Sequence, residues 1–143
     1  MPSHRLPFFY RETEAIRVTV RPHYQAAESV PHAGRFVFTY AVRIENVGLQ
    51  AAQLLTRRWL IHDSVGDDVE VEGEGVVGQQ PLIHPGGVHE YTSFTVLKTP
   101  RGHMVGTYHF IRADGTPLDV AIPRFELEAD GGFEVGDSSF DQE

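Results

Sequence analysis

The sequence predicts an all-β protein: an antiparallel β-sandwich of seven to eight strands with a fibronectin-type-III or immunoglobulin-like architecture. Three observations support this fold class: alternating apolar and polar residues, turn-forming residues at short intervals, and no window with sustained helical periodicity. Short strands joined by turns are typical of a sandwich or a barrel. The chain has no cysteine, which excludes the disulfide of antibody domains, and we favour the fibronectin-like sandwich.

The predicted strands differ in their patterns along the chain. Residues 16–22 (IRVTVRP) and 35–45 (RFVFTYAVRIE) alternate strictly, so one face of each strand is expected to be buried. Residues 54–62 are apolar on both faces, as expected of a central strand, and contain the single tryptophan, Trp59. Three more strands, rich in aromatic and β-branched residues, are predicted at 91–97, 104–112 and 118–127.

Turn-forming residues separate these strands, and they define one domain. They lie at 46–48, 64–68, 85–87, 99–102 and 113–115, where Asp114-Gly115 is a strong hairpin signal. We predict a sandwich domain over residues 13–130, preceded by an N-terminal extension at 1–12. Residues 131–143, which combine glycine, serine and acidic side chains, are predicted to form a disordered acidic tail.

The net charge of −8 is concentrated at the C-terminal end. Residues 126–143 carry seven acidic side chains and no basic one, whereas residues 1–125 hold 13 acidic and 12 basic side chains. A body this close to neutral argues against general nucleic-acid binding, which requires a basic face. The chain also lacks the roughly 18 consecutive apolar residues of a membrane helix and the apolar core of a signal peptide, so we expect a cytoplasmic protein with no membrane span.

Three glycines in VEGEGVVGQQPLIHPG (71–86) have the G-x-G-x-x-G spacing of dinucleotide-binding loops: Gly73, Gly75 and Gly78. Such a loop needs a helix after its last glycine, because the helix N-terminus binds the pyrophosphate. Pro81 and Pro85 leave no room for that helix, and two glutamates flank the would-be phosphate cradle. We therefore interpret the glycines as a bulge or turn that needs positive backbone angles or close approach of a neighbouring segment. An anion held by backbone N–H groups stays open as an alternative.

Arg57, Arg58 and Trp59 form a second candidate binding cluster. In an extended strand Arg57 and Trp59 share a face, and Arg58 points the opposite way. Packing in the core is the favoured interpretation, with a basic, aromatic recognition surface or an anion site as the alternative. We expect no enzymatic activity, no catalytic residue and no cofactor. The sequence has no G-x-S-x-G motif, and no spacing of its acidic residues identifies a catalytic carboxylate pair.

Four alternating carboxylates are the candidate metal ligands: Asp68, Glu70, Glu72 and Glu74. On an extended strand they would share one face, which is either a solvated outer surface or, with His62 and Asp63 nearby, a weak Mg²⁺ or Co²⁺ site. The eight histidines show no H-x-H or H-x-x-x-H spacing. We favour the solvated surface and keep weak cation binding as an alternative.

Five segments together closely resemble the bacterial ApaG family: QLLTRRWLI (53–61), VEGEGVVGQQPLIHPG (71–86), YTS (91–93), TPRGHMVGTY (99–108) and IPRF (122–125). The resemblance spans roughly residues 14 to 128 and implies a fibronectin-type-III-like sandwich. It implies no defined chemistry: the family name is associated with cobalt and magnesium efflux, and the same domain occurs in eukaryotic F-box proteins, where it would recognise substrates.

These observations predict a non-catalytic binding module that recognises a partner protein, whose identity the sequence does not give. Two alternatives remain: a weak Co²⁺ or Mg²⁺ binding protein, and a protein that binds pyrophosphate or a dinucleoside polyphosphate at residues 73–78. Self-association into a homo-oligomer also stays open.

Overall fold

A computed structural model describes residues 7–129 of the 143-residue chain. The described chain forms nine strands and two single-turn 3-10 helices, at Ala26–Glu28 and Pro31–Ala33. The strands are β1 (Phe9–Thr13), β2 (Ile16–Tyr24), β3 (Phe36–Asn46), β4 (Ala52–Asp63), β5 (Val69–Glu74), β6 (Leu82–Ile83), β7 (Val88–Leu97), β8 (Arg101–Arg112) and β9 (Pro117–Glu128). Within residues 7–129, no helix has the length and apolarity needed to cross a membrane.

The strands form two antiparallel sheets that pack face to face. The first sheet has the order β1-β2-β3-β7, and the second has the order β5-β4-β8-β9, with the short β6 paired to one end of β4. Side chains from both sheets fill a single core. The predicted all-β antiparallel sandwich is therefore confirmed.

The first strand lies partly in the segment predicted as an extension. β1 begins at Phe9 and pairs with β2 along its whole length, so residues 9–12 belong to the sheet and the boundary predicted at residue 13 is too late. The intervening turn, Glu14-Ala15, has positive φ angles of 45° and 70° without the glycine or asparagine that usually marks such a hairpin. With β1 and the two-residue β6, the strand count is nine instead of seven to eight. The predicted tail at 131–143 lies outside the described residues.

Strict alternation places the core correctly in the first sheet. In β2, Ile16, Val18 and Val20 are buried, and in β3 the predicted face from Phe36 to Ile44 is buried as well. In β4 the register shifts between Leu54 and Thr56, which is a β-bulge. This extra residue inverts the alternation, so that Leu54 and Trp59 both point into the core although they are five positions apart. The bulge explains why the buried apolar positions of this segment do not follow a single alternation.

One flank of the sandwich is closed and the other is open. At the closed flank β1 packs on β9, where the Phe9 and Phe125 ring centroids lie 6.5 Å apart and Thr13 Oγ1 accepts a hydrogen bond from the Ala121 amide. At the opposite flank the edge strands are β7 of the first sheet and β5 of the second. The glycine motif begins at Gly73 within β5 and continues into the loop that follows, so this motif lies at the open flank.

Candidate binding cleft

A cleft of about 380 Å³ opens between β7 and the loop after β5. One wall comes from the first sheet and the other from β4 and the glycine loop. Its lining residues are Tyr40, Arg57, Trp59, Glu74, Val76, Val77, Gly78, Tyr91, Thr92, Ser93 and Phe94. The cleft therefore brings two of the three predicted cluster residues together with part of the glycine motif.

Trp59 forms the inner end of the cleft as a member of the core. Its side chain is 3% exposed. Its ring makes edge-on contacts with three aromatic neighbours, with centroid distances of 5.6 Å to Tyr40, 6.3 Å to Tyr108 and 5.9 Å to Phe125. The packing interpretation of Trp59 thus agrees with the structure, and only an edge of the indole faces the cleft.

Three tyrosine hydroxyls lie near Trp59, those of the buried Tyr40 and Tyr108 and of the half-buried Tyr91. The hydroxyls of Tyr91 and Tyr108 share a short hydrogen bond, and the Tyr40 hydroxyl lies near Ser93. Burial raises the pKa of each of these tyrosines, and the positive charge of Arg57 offsets part of that shift. The hydroxyls therefore remain protonated at neutral pH and act as hydrogen-bonding groups of the cleft wall.

Arg57 lines the cleft from β4, and backbone carbonyls on the same side of the cleft hold its guanidinium. Its Nη1 atom donates hydrogen bonds to the carbonyl oxygens of Glu74 and Gly75, each at 3.0 Å. Its guanidinium lies against Gly73, where an added Cβ atom would be 2.7 Å from Nη1. None of the ion pairs within residues 7–129 involves Arg57. Because Gly73 has no side chain, the half-buried guanidinium of Arg57 can lie against it.

The other two glycines of the motif shape a tight turn. Val77 and Gly78 have φ angles of 48° and 77°, and the residues on either side, Val76 and Gln79, exchange backbone hydrogen bonds of 2.8 and 3.0 Å. Positive φ at both central positions is the pattern of a type I′ turn. The Gly75 amide donates to Leu55 O at 2.8 Å. Three amides of the loop are thus already bonded to carbonyls, and no helix follows the turn in the described chain.

Arg58, Asp68, Glu70 and Glu72 lie on the outer face, away from the cleft, whereas Glu74 at the end of β5 is one of the cleft-lining residues. Arg58 Nε is 2.8 Å from Glu70 and 3.4 Å from Glu72, and the hydrogen bond with Glu70 raises the pKa of Arg58 and lowers that of Glu70. Asp68 lies 2.7 Å from His62 Nδ1. Glu70 and Glu72 therefore share Arg58 as their cationic partner, and Asp68 is paired with the imidazole of His62. Within residues 7–129, no group of three or more His, Asp or Glu side chains is arranged to hold a metal ion.

Sequence reasoning missed the half of the cleft that comes from the first sheet. Tyr91 and Ser93 point inward from β7, while Phe94 points outward and is 66% exposed. Alternation in YTSFT identifies these directions, but the sequence does not indicate which residues of the second sheet they face. Tyr40 was predicted to be buried, without an indication that its hydroxyl would reach Ser93.

We expect the buried tyrosines to make the fold sensitive to alkaline pH. A tyrosine whose pKa is raised in the folded state loses its proton first in the unfolded chain, at about pH 10. Stability is therefore complete below that pH and declines as the pH rises above it. Urea unfolding between pH 8 and 11 would measure this decline, and Tyr91→Phe should make it shallower. An unchanged slope in Tyr91→Phe would contradict the assignment.

The family model for the ApaG domain matches residues 26–112. Protein ApaG of Rhodospirillum centenum is 52% identical over 120 residues, which cover 84% of this chain and 92% of that protein. Protein ApaG of Anaeromyxobacter dehalogenans is 53% identical over 119 residues, which cover 83% and 94%.

A solved structure has the same fold. The crystal structure of a Bordetella pertussis protein assigned as ApaA superposes with a TM-score of 0.79 at 43% identity and covers 86% of this chain and 97% of that one. The sequence matches, the family model and the shared sandwich agree with one another. The chain belongs to the ApaG family.

Proposed function

We propose that the protein is a non-catalytic binding module that docks a partner protein at the open flank of its sandwich. The observation that carries this proposal is that both edge strands of that flank and the glycine loop bear exposed apolar side chains. The exposed fractions are 54% for Val69, 63% for Val77, 66% for Phe94, 39% for Val96 and 36% for Val71. Clustered exposed apolar residues mark interaction sites, whereas isolated ones do not.

The two valines of β5 are exposed because the first sheet ends too early to cover them. Val71 lies opposite Trp59 in the sheet, and directly opposed residues point to the same face, so Val71 is on the inner face. Trp59 is buried under the first sheet, but Val71 lies one strand further out, beyond β7. A partner strand added to the free edge of β7 would complete the first sheet and cover this part of β5.

The polar groups of the cleft support binding more than catalysis. Among the lining residues no histidine occurs, and the one serine, Ser93, lies near the hydroxyl of Tyr40, which is not a general base at neutral pH. Arg57 and the tyrosine hydroxyls can donate hydrogen bonds to carbonyl or carboxylate oxygens of a docked peptide. An aromatic and arginine-lined cleft beside an apolar rim has the composition of protein-interaction hot spots.

The other interpretations of the sequence have less support. Glu70 and Glu72 are engaged with Arg58, which leaves the acidic face with less free charge for Mg²⁺ or Co²⁺. Three amides of the glycine loop are bonded within the protein, which weakens a pyrophosphate or dinucleoside polyphosphate site there. The cytoplasmic location stays a prediction from the sequence.

Affinity capture from a bacterial lysate, followed by binding measurements with the purified partner, would test the docking surface. We expect Phe94→Glu to weaken binding about tenfold or more, because a buried carboxylate would replace an apolar contact. Tyr10→Glu is the matched control, since Tyr10 is 65% exposed but lies on β1 at the closed flank. It should leave binding unchanged.

Two results would count against the proposal. One is a partner that is lost in Tyr10→Glu but kept in Phe94→Glu. The other is repeated capture with folded protein that returns no stoichiometric partner. Both variants replace exposed side chains, so circular dichroism should show an unchanged fold in each.

A further inference from the structure

Two histidines face each other on the outer surface of the second sheet. His62 on β4 and His103 on β8 are directly opposed in the strand register. Their rings are stacked, with centroids 4.6 Å apart and planes inclined by 23°. Residues directly opposed on neighbouring strands share one face of a sheet. Both imidazoles therefore present nitrogen atoms at the same patch, which is remote from the cleft.

Asp68 fixes the proton of His62. The Asp68 carboxylate lies 2.7 Å from His62 Nδ1. An ionised carboxylate only accepts hydrogen bonds, so a neutral His62 carries its proton on Nδ1 and a free lone pair on Nε2. A carboxylate bonded to the second ring nitrogen is the usual arrangement of a metal-binding histidine, because it sets the tautomer and raises ligand basicity.

His103 also has a lone pair available at neutral pH. Partial burial lowers the pKa of His103, and the positive charge of Arg124 and the neighbouring His62 act in the same direction. Glu126 and Asp68 act in the opposite direction. Arg124 is itself bonded to Glu126 at 3.0 Å, which compensates part of its charge beside the imidazoles. The net downward shift thus favours a neutral ring at His103.

We propose that His62 and His103 together bind a borderline divalent transition-metal ion such as Zn²⁺ or Ni²⁺, with water in the remaining coordination positions. Imidazole nitrogen is a preferred ligand of these ions. Bonds of about 2.0–2.1 Å in a tetrahedral arrangement need two nitrogens about 3.3 Å apart. Half-buried surface rings whose centroids are 4.6 Å apart reach that separation by tilting toward each other. Mg²⁺, which requires oxygen ligands, should not bind here. This site is independent of the proposed partner surface.

Calorimetric titration of the full, untagged chain with NiCl₂ and ZnCl₂ at pH 7.5 would test the site. His62→Gln and His103→Gln should each weaken binding about tenfold or more, and Asp68→Asn about tenfold, as outer-sphere partners of metal-bound histidines do. His109→Gln is the matched control. His109 Nδ1 also lies 2.7 Å from a carboxylate, that of Asp119, but no second imidazole stacks on it within residues 7–129.

Further measurements separate the site from adventitious binding. Ni²⁺ should broaden the ring resonances of His62 and His103 before those of other histidines, and binding should fade at pH 5 as the imidazoles become protonated. Binding by the wild-type chain weaker than about 1 mM, or an equal loss in His109→Gln, would overturn the proposal. Thermal unfolding of each variant checks that the sheet is intact, so that a loss of binding reports on the ligand alone.

Discussion

Replacing Trp59 with alanine is expected to lower the free energy of unfolding by about 3–5 kcal/mol, the usual cost of removing a large aromatic side chain from a core. The indole is 3% exposed and joins the two sheets, since Tyr40 belongs to β3 whereas Tyr108 and Phe125 belong to β8 and β9. Its removal would leave a cavity between elements that are far apart in sequence. Urea unfolding followed by circular dichroism measures the change, because the variant loses the only tryptophan fluorophore.

Two further variants separate this loss from a general effect of removing an aromatic ring. Phe94→Ala removes a ring that is 66% exposed and should cost less than about 1 kcal/mol. Trp59→Phe keeps part of the aromatic contact, so its loss of unfolding free energy should lie between those of Trp59→Ala and Phe94→Ala. A loss below about 1 kcal/mol in Trp59→Ala would mean that the aromatic cluster does not hold the sheets together.

The fold was predictable for strands that have one buried face and one solvent-exposed face. In β2 and β3 the alternation of side chains identifies the buried face directly, since a strand has a period of two. Alternation does not identify β1, because its two end residues are half-buried and its three middle residues are exposed. The turn that connects β1 to β2 also has neither glycine nor asparagine. It also fails at the bulge in β4, because one unpaired residue inverts the period without a signature in the sequence.

The candidate site was predictable on one wall only. Arg57, Trp59 and the glycines lie on a strand and a loop that neighbour each other in the same sheet, and their patterns identify them. Tyr91 and Ser93 reach the cleft from the other sheet, so their roles depend on how two sheets pack. The stacked pair of His62 and His103 depends likewise on the register between β4 and β8. Neither kind of long-range placement is encoded in local periodicity.

Gly75→Ala is expected to lower the free energy of unfolding by about 3 kcal/mol or more, through two effects at one residue. Gly75 has a φ angle of 62°, which side-chain-bearing residues rarely adopt. An added Cβ atom would also lie 2.1 Å from the carbonyl oxygen of Gln79, so the turn would have to open. Opening it would in addition displace the Gly75 carbonyl, to which Arg57 donates.

Gly78→Ala separates these two effects because it introduces the backbone strain alone. Gly78 has a φ angle of 77°, and nothing lies within 4 Å of the position that its Cβ would occupy. It should therefore cost only about 1 kcal/mol. Urea unfolding of both variants tests the difference. Equal losses would mean that the close approach to Gln79 has no energetic weight, and a larger loss in Gly78→Ala would contradict the turn geometry. A gap of about 2 kcal/mol would show that the motif fixes the turn that holds Arg57 in the cleft, with backbone clearance at Gly75 as its main physical requirement.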